Sequence, residues 1–217
     1  MNISAGKFIT FEGGEGTGKS TQIKLLADYL EQKGKKTILT KEPGGTEIGK
    51  QLRHILTEGD SDKIDAVSEA LLFFADRRIH LTQKVWPALE KGEWVLSDRF
   101  ADSTMAYQYY AYDKRLSRED INALYKFVAG NFKPDLTIIL DINPEIGLAR
   151  SFKKAEGMAT KEIRFENKAL QWHEKLRRGY LEIAENEAER CVVLNADKTV
   201  AKLHDDIVAV IEAKFNL

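Results

Sequence analysis

The octet Gly13-Gly14-Glu15-Gly16-Thr17-Gly18-Lys19-Ser20 constrains this chain more than any other stretch. It spells G-x-x-x-x-G-K-S. Upstream, Lys7-Phe8-Ile9-Thr10-Phe11-Glu12 is apolar and β-prone; downstream, Ile23, Leu26, Ala27 and Leu30 recur at helical spacing. The octet therefore sits between an expected strand and an expected helix, the setting of a phosphate-binding loop. Glycines let the backbone wrap a triphosphate and aim N–H groups at its oxygens. The helix that follows turns its positive N-terminal end toward the same anion. Lys19 has the reach for the β- and γ-phosphates, and the Ser20 hydroxyl suits Mg²⁺. A chance Gly-rich turn has no reason to combine strand, helix, lysine and serine.

Five short apolar runs read as strands: Phe8–Glu12, Thr37–Thr40, Trp94–Ser97, Leu136–Leu140 and Cys191–Leu194. Several are apolar without alternation, as expected of strands covered on both faces. Helical patterns lie between them. Asn143-Pro144 marks a helix start. Ser117-Arg118-Glu119-Asp120 resembles a capping box, with Asp in place of Glu or Gln. Leu170, His173, Leu176, Tyr180 and Ile183 form one stripe, and Val200, Leu203, Ile207, Ile211 and Phe215 another. Strands alternating with helices imply an α/β fold with a parallel sheet and right-handed crossovers. No repeat or linker interrupts the 217 residues, so one domain spanning 1–217 is expected. Ligands in such folds bind beyond the carboxyl ends of the strands.

Composition excludes several classes. The net charge of −1 gives no basic field for nucleic acid, so an anionic substrate has to be met by local cations. The single cysteine, Cys191, permits no internal disulfide, which suits a reducing cytoplasm. His54, His80, His173 and His204 lack metal-site spacing, and surface or packing roles suit them. No run approaches the ~20 apolar residues of a membrane span. The first residues lack a signal-peptide core.

Further candidates cluster at strand ends. Lys41-Glu42-Pro43-Gly44-Gly45-Thr46 is a turn that lets backbone approach a ligand, and the next helix carries Arg53. Arg53 suits a phosphate clamp or a plain surface charge. Phe73 and Arg77, four residues apart on one helix, can stack on a base and hydrogen-bond its edge. Equally, Phe73 fits the core with Arg77 reaching solvent. Asp98, closing the third strand, is placed to orient Mg²⁺, and Arg99 to neutralise a phosphoryl group in flight. Asp141 is the rival carboxylate. Asp98 is preferred because an arginine follows it directly, whereas Asp141 can serve the next helix start. Ser103, Thr104, Tyr107 and Gln108 supply polar groups for a base or sugar. Arg150, Lys153, Lys154, Lys161 and Arg164 surround Gly157, either as a solvated helical surface or as a basic lid over about 150–165.

Taken in order, Phe-Glu-Gly-x-Glu-Gly-x-Gly-Lys-Ser, Glu-Pro-Gly-Gly-Thr, Leu-Phe-x-Ala-Asp-Arg, Ser-Asp-Arg and Ser-Thr-x-Ala-Tyr-Gln resemble thymidylate kinases over nearly the whole chain. The resemblance implies a P-loop NTPase three-layer fold, a five-stranded parallel sheet flanked by helices with a mobile lid. It implies a cytoplasmic, homodimeric enzyme transferring the ATP γ-phosphoryl group to dTMP with Mg²⁺, yielding dTDP for dTTP synthesis. By position, Gly13, Gly14, Glu15, Gly16, Thr17, Gly18, Lys19, Ser20 and Thr21 resemble the ATP loop, and Arg150 the arginine stacking on adenine. Ser20, Asp98 and Glu15 would face the metal. For dTMP the resemblance implies Glu15 near the sugar 3′-hydroxyl, Glu42 and Pro43 in the turn, and Arg53 and Arg99 on phosphate. Phe73 would stack on thymine, Arg77 would meet its carbonyl, Thr104 and Gln108 would contact the base, and Tyr107 would wall the sugar.

Glu15-Gly16 replaces the Asp-Arg of the eukaryotic branch and resembles the bacterial type, which supplies catalytic arginines from the lid. Here Phe152, Lys153 and Lys154 stand where lid arginines are common, and Ile163 replaces an aspartate. Lys153 or Lys154 is therefore expected to join Lys19, Asp98 and Arg99 in catalysis. Tyr109-Tyr110-Ala111-Tyr112 replaces a Gly-rich stretch. The rival readings are a kinase for another nucleotide or nucleoside and, further off, a nucleotide-dependent switch. Asn167-Lys168-Ala169-Leu170 lacks the aspartate of a guanine-binding motif.

Overall fold

The structure is a computed structural model describing residues 6–60, 63–112, 116–156 and 164–217, without the side chains of 154 and 155. Among the expected lid residues, the Lys154 side chain, Gly157, Lys161 and Ile163 lie outside the described residues. Five strands pair in parallel: β1 (Phe8–Glu12), β2 (Thr37–Lys41), β3 (Trp94–Asp98), β4 (Leu136–Asp141) and β5 (Cys191–Asn195). Their order is β2-β3-β1-β4-β5. The last four each run one residue past the apolar run. Lys41 pairs with Asp98, and Asp141 with Asn195. Ladder hydrogen bonds use backbone only, so pairing continues into polar residues that the apolar pattern omits.

The helices are α1 (Lys19–Gln32), α2 (Glu47–Thr57), α3 (Ala66–His80), α4 (Trp86–Glu90), α5 (Ala101–Thr104), α6 (Arg118–Ala129), α7 (Pro144–Ala155), α8 (Leu170–Asn186) and α9 (Val200–Phe215). π-helical turns at Leu81–Val85 and Met105–Ala111 join α3 to α4 and extend α5. Periodic apolar spacing does not announce such widened turns.

Both sheet faces are covered, which accounts for the apolar strands. On one side, Ile23, Leu26 and Leu30 of α1 pack with Leu203, Ile207 and Ile211 of α9 over Ile9, Phe11 and Ile138. On the other, Phe74 of α3, Val85 and Ile121 of α6 cover Phe8, Val95 and Phe100. Leu176, Tyr180 and Ile183 of α8 close the β4 side against Ala106 and Tyr107. The Ser117 capping box forms with Asp120, and Asn143 caps α7 ahead of Pro144. No helix among the described residues is long and apolar enough to cross a membrane. Because β1 is central with β3 and β4 as neighbours, the crevice lies where connections diverge, beyond the ends of β1, β3 and β4.

Candidate active site

The phosphate loop links β1 to α1. Gly16 has φ 67°, and a Cβ there would collide with the Gly147 carbonyl, so only glycine fits. Side chains cap α2, α3, α6, α7 and α9 through Thr46, Asp65, Ser117, Asn143 and Thr199. α1 differs: its N-cap is left-handed Gly18, no side chain caps it, and no acidic residue sits in its first turn. The unfilled donors of that turn are left for an anion.

Lys19 folds back over the loop, donating to Gly13 O (3.1 Å), Gly14 O (2.8 Å) and Thr17 Oγ1 (3.3 Å). Burial and then the Arg99 charge lower its pKa to about 8, against the pull of Asp98, Glu15 and Glu12. Ser20 Oγ donates to Asp98 Oδ2 at 2.7 Å. The rival carboxylate, Asp141, is gripped by Arg177 through two bonds of 2.7 Å.

Arg99 joins this loop to a second space. Its φ of 73° is left-handed, which costs a non-glycine residue about 1–3 kcal/mol. The guanidinium donates to Gly13 O (3.0 Å), Ser103 Oγ (3.1 Å), Tyr180 OH (2.9 Å) and Glu15 Oε1 (2.9 Å). Tyr107 OH also donates to Glu15. Burial opposes the Glu15 charge, but Arg99, Lys19 and Tyr107 outweigh it and hold the carboxyl down to about 2. Beneath Arg99, burial and nearby Asp102 push Glu12 up to about 7, against Ser103, Arg99 and the Phe100 N–H.

An open cleft of about 660 Å³, counted to its mouth, begins at Arg99. Glu15, Glu42, Pro43, Arg53, Phe73 and Arg77 line it together with Arg99, Thr104 and Tyr107. Phe73 is half-buried there, and Arg77 is buried instead of reaching solvent. Arg77 Nε donates to Glu42 Oε2 (2.9 Å) and Nη2 to Thr104 Oγ1 (3.0 Å), leaving buried Nη1 unpartnered. Glu42 also meets His80 Nδ1 at 2.7 Å, and His80 Nε2 meets Thr40 Oγ1 at 2.6 Å. Arg53 Nη1 donates to Pro43 O at 3.1 Å.

Other expected residues stand elsewhere. Gln108 is absent from the cleft lining: it is fully buried and donates to Glu69 Oε1 at 2.6 Å. The helix that places Thr104 on the wall turns Gln108 inward. Arg150 bonds Ala196 O (3.2 Å) and Asp197 Oδ1 (3.0 Å) on the loop after β5. Lys153 is exposed on the last turn of α7. Arg164 is buried, paired with Glu69 and donating to Leu56 O (2.9 Å). Phe165 and Glu166 line the cleft. Burial and then Glu15 push Glu166 up to about 7, with Ser151 opposing. Both belong to the run Arg164-Phe165-Glu166 that follows Ile163, and the turn ahead of α8 brings them to the cleft. Glu12 and Tyr180 looked like strand and core positions; only the fold aims them at Arg99.

A family model described as Thymidylate kinase matches residues 11–207. A thymidylate kinase of Caulobacter vibrioides is 49% identical over 195 residues, covering 90% of each chain. One from Maridesulfovibrio salexigens is 48% identical over 206 residues, covering 93% of each. The crystal structure of thymidylate kinase from Ehrlichia chaffeensis is 30% identical, with a TM-score of 0.75, covering 95% of this chain and 99% of that one.

Proposed function

The chain belongs to the thymidylate kinase family, and from that premise we propose how its residues carry the γ-phosphoryl group of ATP to dTMP. The observation that carries the reading is the position of Arg99. One half-buried cation bonds the phosphate loop at Gly13 and also lines the cleft that holds Phe73 and Arg77. A group so placed meets donor and acceptor phosphates together, where charge builds during transfer.

ATP phosphates fit the uncapped start of α1, and Lys19 exchanges its loop carbonyls for phosphate oxygens. Arg150, held against the loop after β5, provides a plane for adenine. dTMP fits the cleft with its base on Phe73, its carbonyl at the unpartnered Arg77 Nη1 and its phosphate between Arg53 and Arg99. Glu15 and Tyr107 lie beside the sugar. In-line attack by a dTMP phosphate oxygen needs alignment more than a general base.

Ser20 and Asp98 would hold Mg²⁺, and a hydroxyl with one carboxylate fits an ion that keeps several waters and binds chiefly phosphate. Bound there, it would neutralise charge on the phosphate oxygens. Lys153 or Lys154 is proposed as the lid cation, a point charge without an arginine's fork. A cytoplasmic homodimer is the proposed working form.

A coupled assay of ADP formation with dTMP, dUMP, dCMP, dGMP and dAMP tests the reading. Turnover should favour dTMP and stop with excess EDTA. Equal turnover of all five, or none, would reject it.

A further inference from the structure

Glu12 ends β1 one residue before the phosphate loop and is none of the groups that meet ATP or dTMP. It is fully buried. A buried carboxylate needs donors for its oxygens. Its donors all belong to the setting of Arg99. Oε1 accepts the Phe100 N–H at 2.7 Å, and Oε2 accepts the Ser103 hydroxyl at 2.5 Å. Tyr180 OH reaches Oε2 at 3.4 Å.

The first bond fixes backbone. Arg99 is left-handed, so its two flanking peptides have to be held. Arg99 N donates to Phe11 O at 2.9 Å, and Ser97 Oγ donates to Arg99 O at 2.8 Å. Glu12 secures the next N–H. The second bond fixes side-chain polarity. Ser103 has one proton, which goes to Glu12. Toward Tyr180, at 2.8 Å, and toward Arg99 Nη1, at 3.1 Å, Ser103 therefore accepts. Tyr180 OH accepts from Arg99 as well, at 2.9 Å. Donors thus run from Arg99 through Tyr180 and Ser103 to one carboxylate.

We propose that Glu12 is a positioning residue for phosphoryl transfer, acting through Arg99 by holding its backbone and the Ser103–Tyr180 acceptors of its guanidinium. This rests on the reading of Arg99 as the cation between the two phosphates.

Glu12→Gln is nearly isosteric but turns an amide NH₂ toward either the Phe100 N–H or the Ser103 hydroxyl. Four proteins are compared: wild type, Glu12→Gln, Arg99→Ala and the double variant. kcat, both KM values and Tm are measured for each at pH 8, above the value of about 7 to which Glu12 is pushed, so that the wild type carries the carboxylate. Glu12→Gln should lower kcat by about tenfold to hundredfold, the scale of a misplaced catalytic group. Its KM values should stay within about twofold, and adding it to Arg99→Ala should change kcat by less than about twofold. Glu12→Asp, which keeps two acceptors, should recover part of the lost kcat. An unchanged kcat in Glu12→Gln, or the same fold-loss with and without Arg99, overturns the proposal. If Arg99→Ala keeps wild-type kcat, the assignment of Arg99 itself fails and takes this inference with it. Should Glu12→Gln not fold, Ser103→Ala takes its place in the same cycle. Loss confined to the Arg99 background then supports the proposal, and additive loss overturns it.

Discussion

At the scale of single residues, the cleft tests what an aromatic ring is for. Phe73 lines it without being fully buried. Stacking on an aromatic contributes about 1–3 kcal/mol per base, so Phe73→Ala should raise the dTMP Kd by roughly tenfold or more. Calorimetry should find the ATP Kd unchanged; equal losses for both ligands would mean damage to the core instead. Asp76 offers a second test. Burial and then Glu42 push its carboxyl up to about 6, against the Gly44 N–H, and Oδ2 is buried without a partner. Since the folded value exceeds the ordinary 3.8, the native state keeps a proton that the unfolded chain has released between those values. The stability tied to this group is greatest below pH 3.8 and is lost as pH rises through 6. The loss is at most about 3 kcal/mol. Asp76→Asn removes the ionisation, so its Tm should gain on wild type as pH rises from 3.8 to 6 and hold that gain above 6. A difference that does not change with pH would show that Asp76 does not titrate there. Sequence could nominate Lys19, Ser20, Asp98, Phe73 and Arg77 because loop spacing and helical register are local. It could not see that Glu42 grips Arg77, that Gln108 turns inward to Glu69, or that Glu12 supports Arg99. Those pairs join separate elements, and only packing brings them together.

Among elements, the apolar runs and periodic stripes were enough to place all five strands and the capped starts of α6 and α7. They missed strand ends such as Lys41 and Asn195, where the ladder outlasts the apolar run, and the π-helical turns, whose wider spacing breaks the 3.6-residue pattern. The far end of the expected lid shows what such gaps hide. Arg164 carries the charge of a lid cation, yet it is buried against Glu69 and the Leu56 carbonyl. Its contacts tie the chain entering α8 to α2 and α3. Removing one partner of a buried pair leaves the other charge stranded, at about 3–5 kcal/mol. Arg164→Ala should therefore lower Tm by roughly 6–20 °C, at the 2–4 °C per kcal/mol typical of this size. Adding Glu69→Leu should recover part of the loss, because it removes the stranded carboxylate. A large fall in kcat at unchanged Tm would instead place Arg164 in the transfer step.

For the molecule as a whole, the unexplained surface is apolar. Ile48 and Ile55 on α2, Val67 and Leu71 on α3, and Phe127 on α6 are exposed, Phe127 to 88%. Within α2 the two residues are seven apart, and within α3 four apart, so each pair shares a helix face. α3 packs against both α2 and α6. Isolated exposed apolar residues are ordinary, but several on adjoining helices lead us to predict an association surface. A second copy of the chain is the simplest partner, because a two-fold axis lets one patch cover itself. The net charge of −1 offers little long-range repulsion between copies. Sedimentation equilibrium at micromolar concentration should give twice the 24.6 kDa chain mass. Leu71→Asp puts a charge into that face and should shift the mass toward the single chain without unfolding, since Leu71 is already half exposed in one copy. The cleft wall carrying Phe73 and Arg77 lies on the same helix, α3. If pairing steadies that helix, the monomeric variant should bind dTMP more weakly than ATP relative to wild type. A wild-type protein that sediments as one chain at all accessible concentrations would refute the pairing.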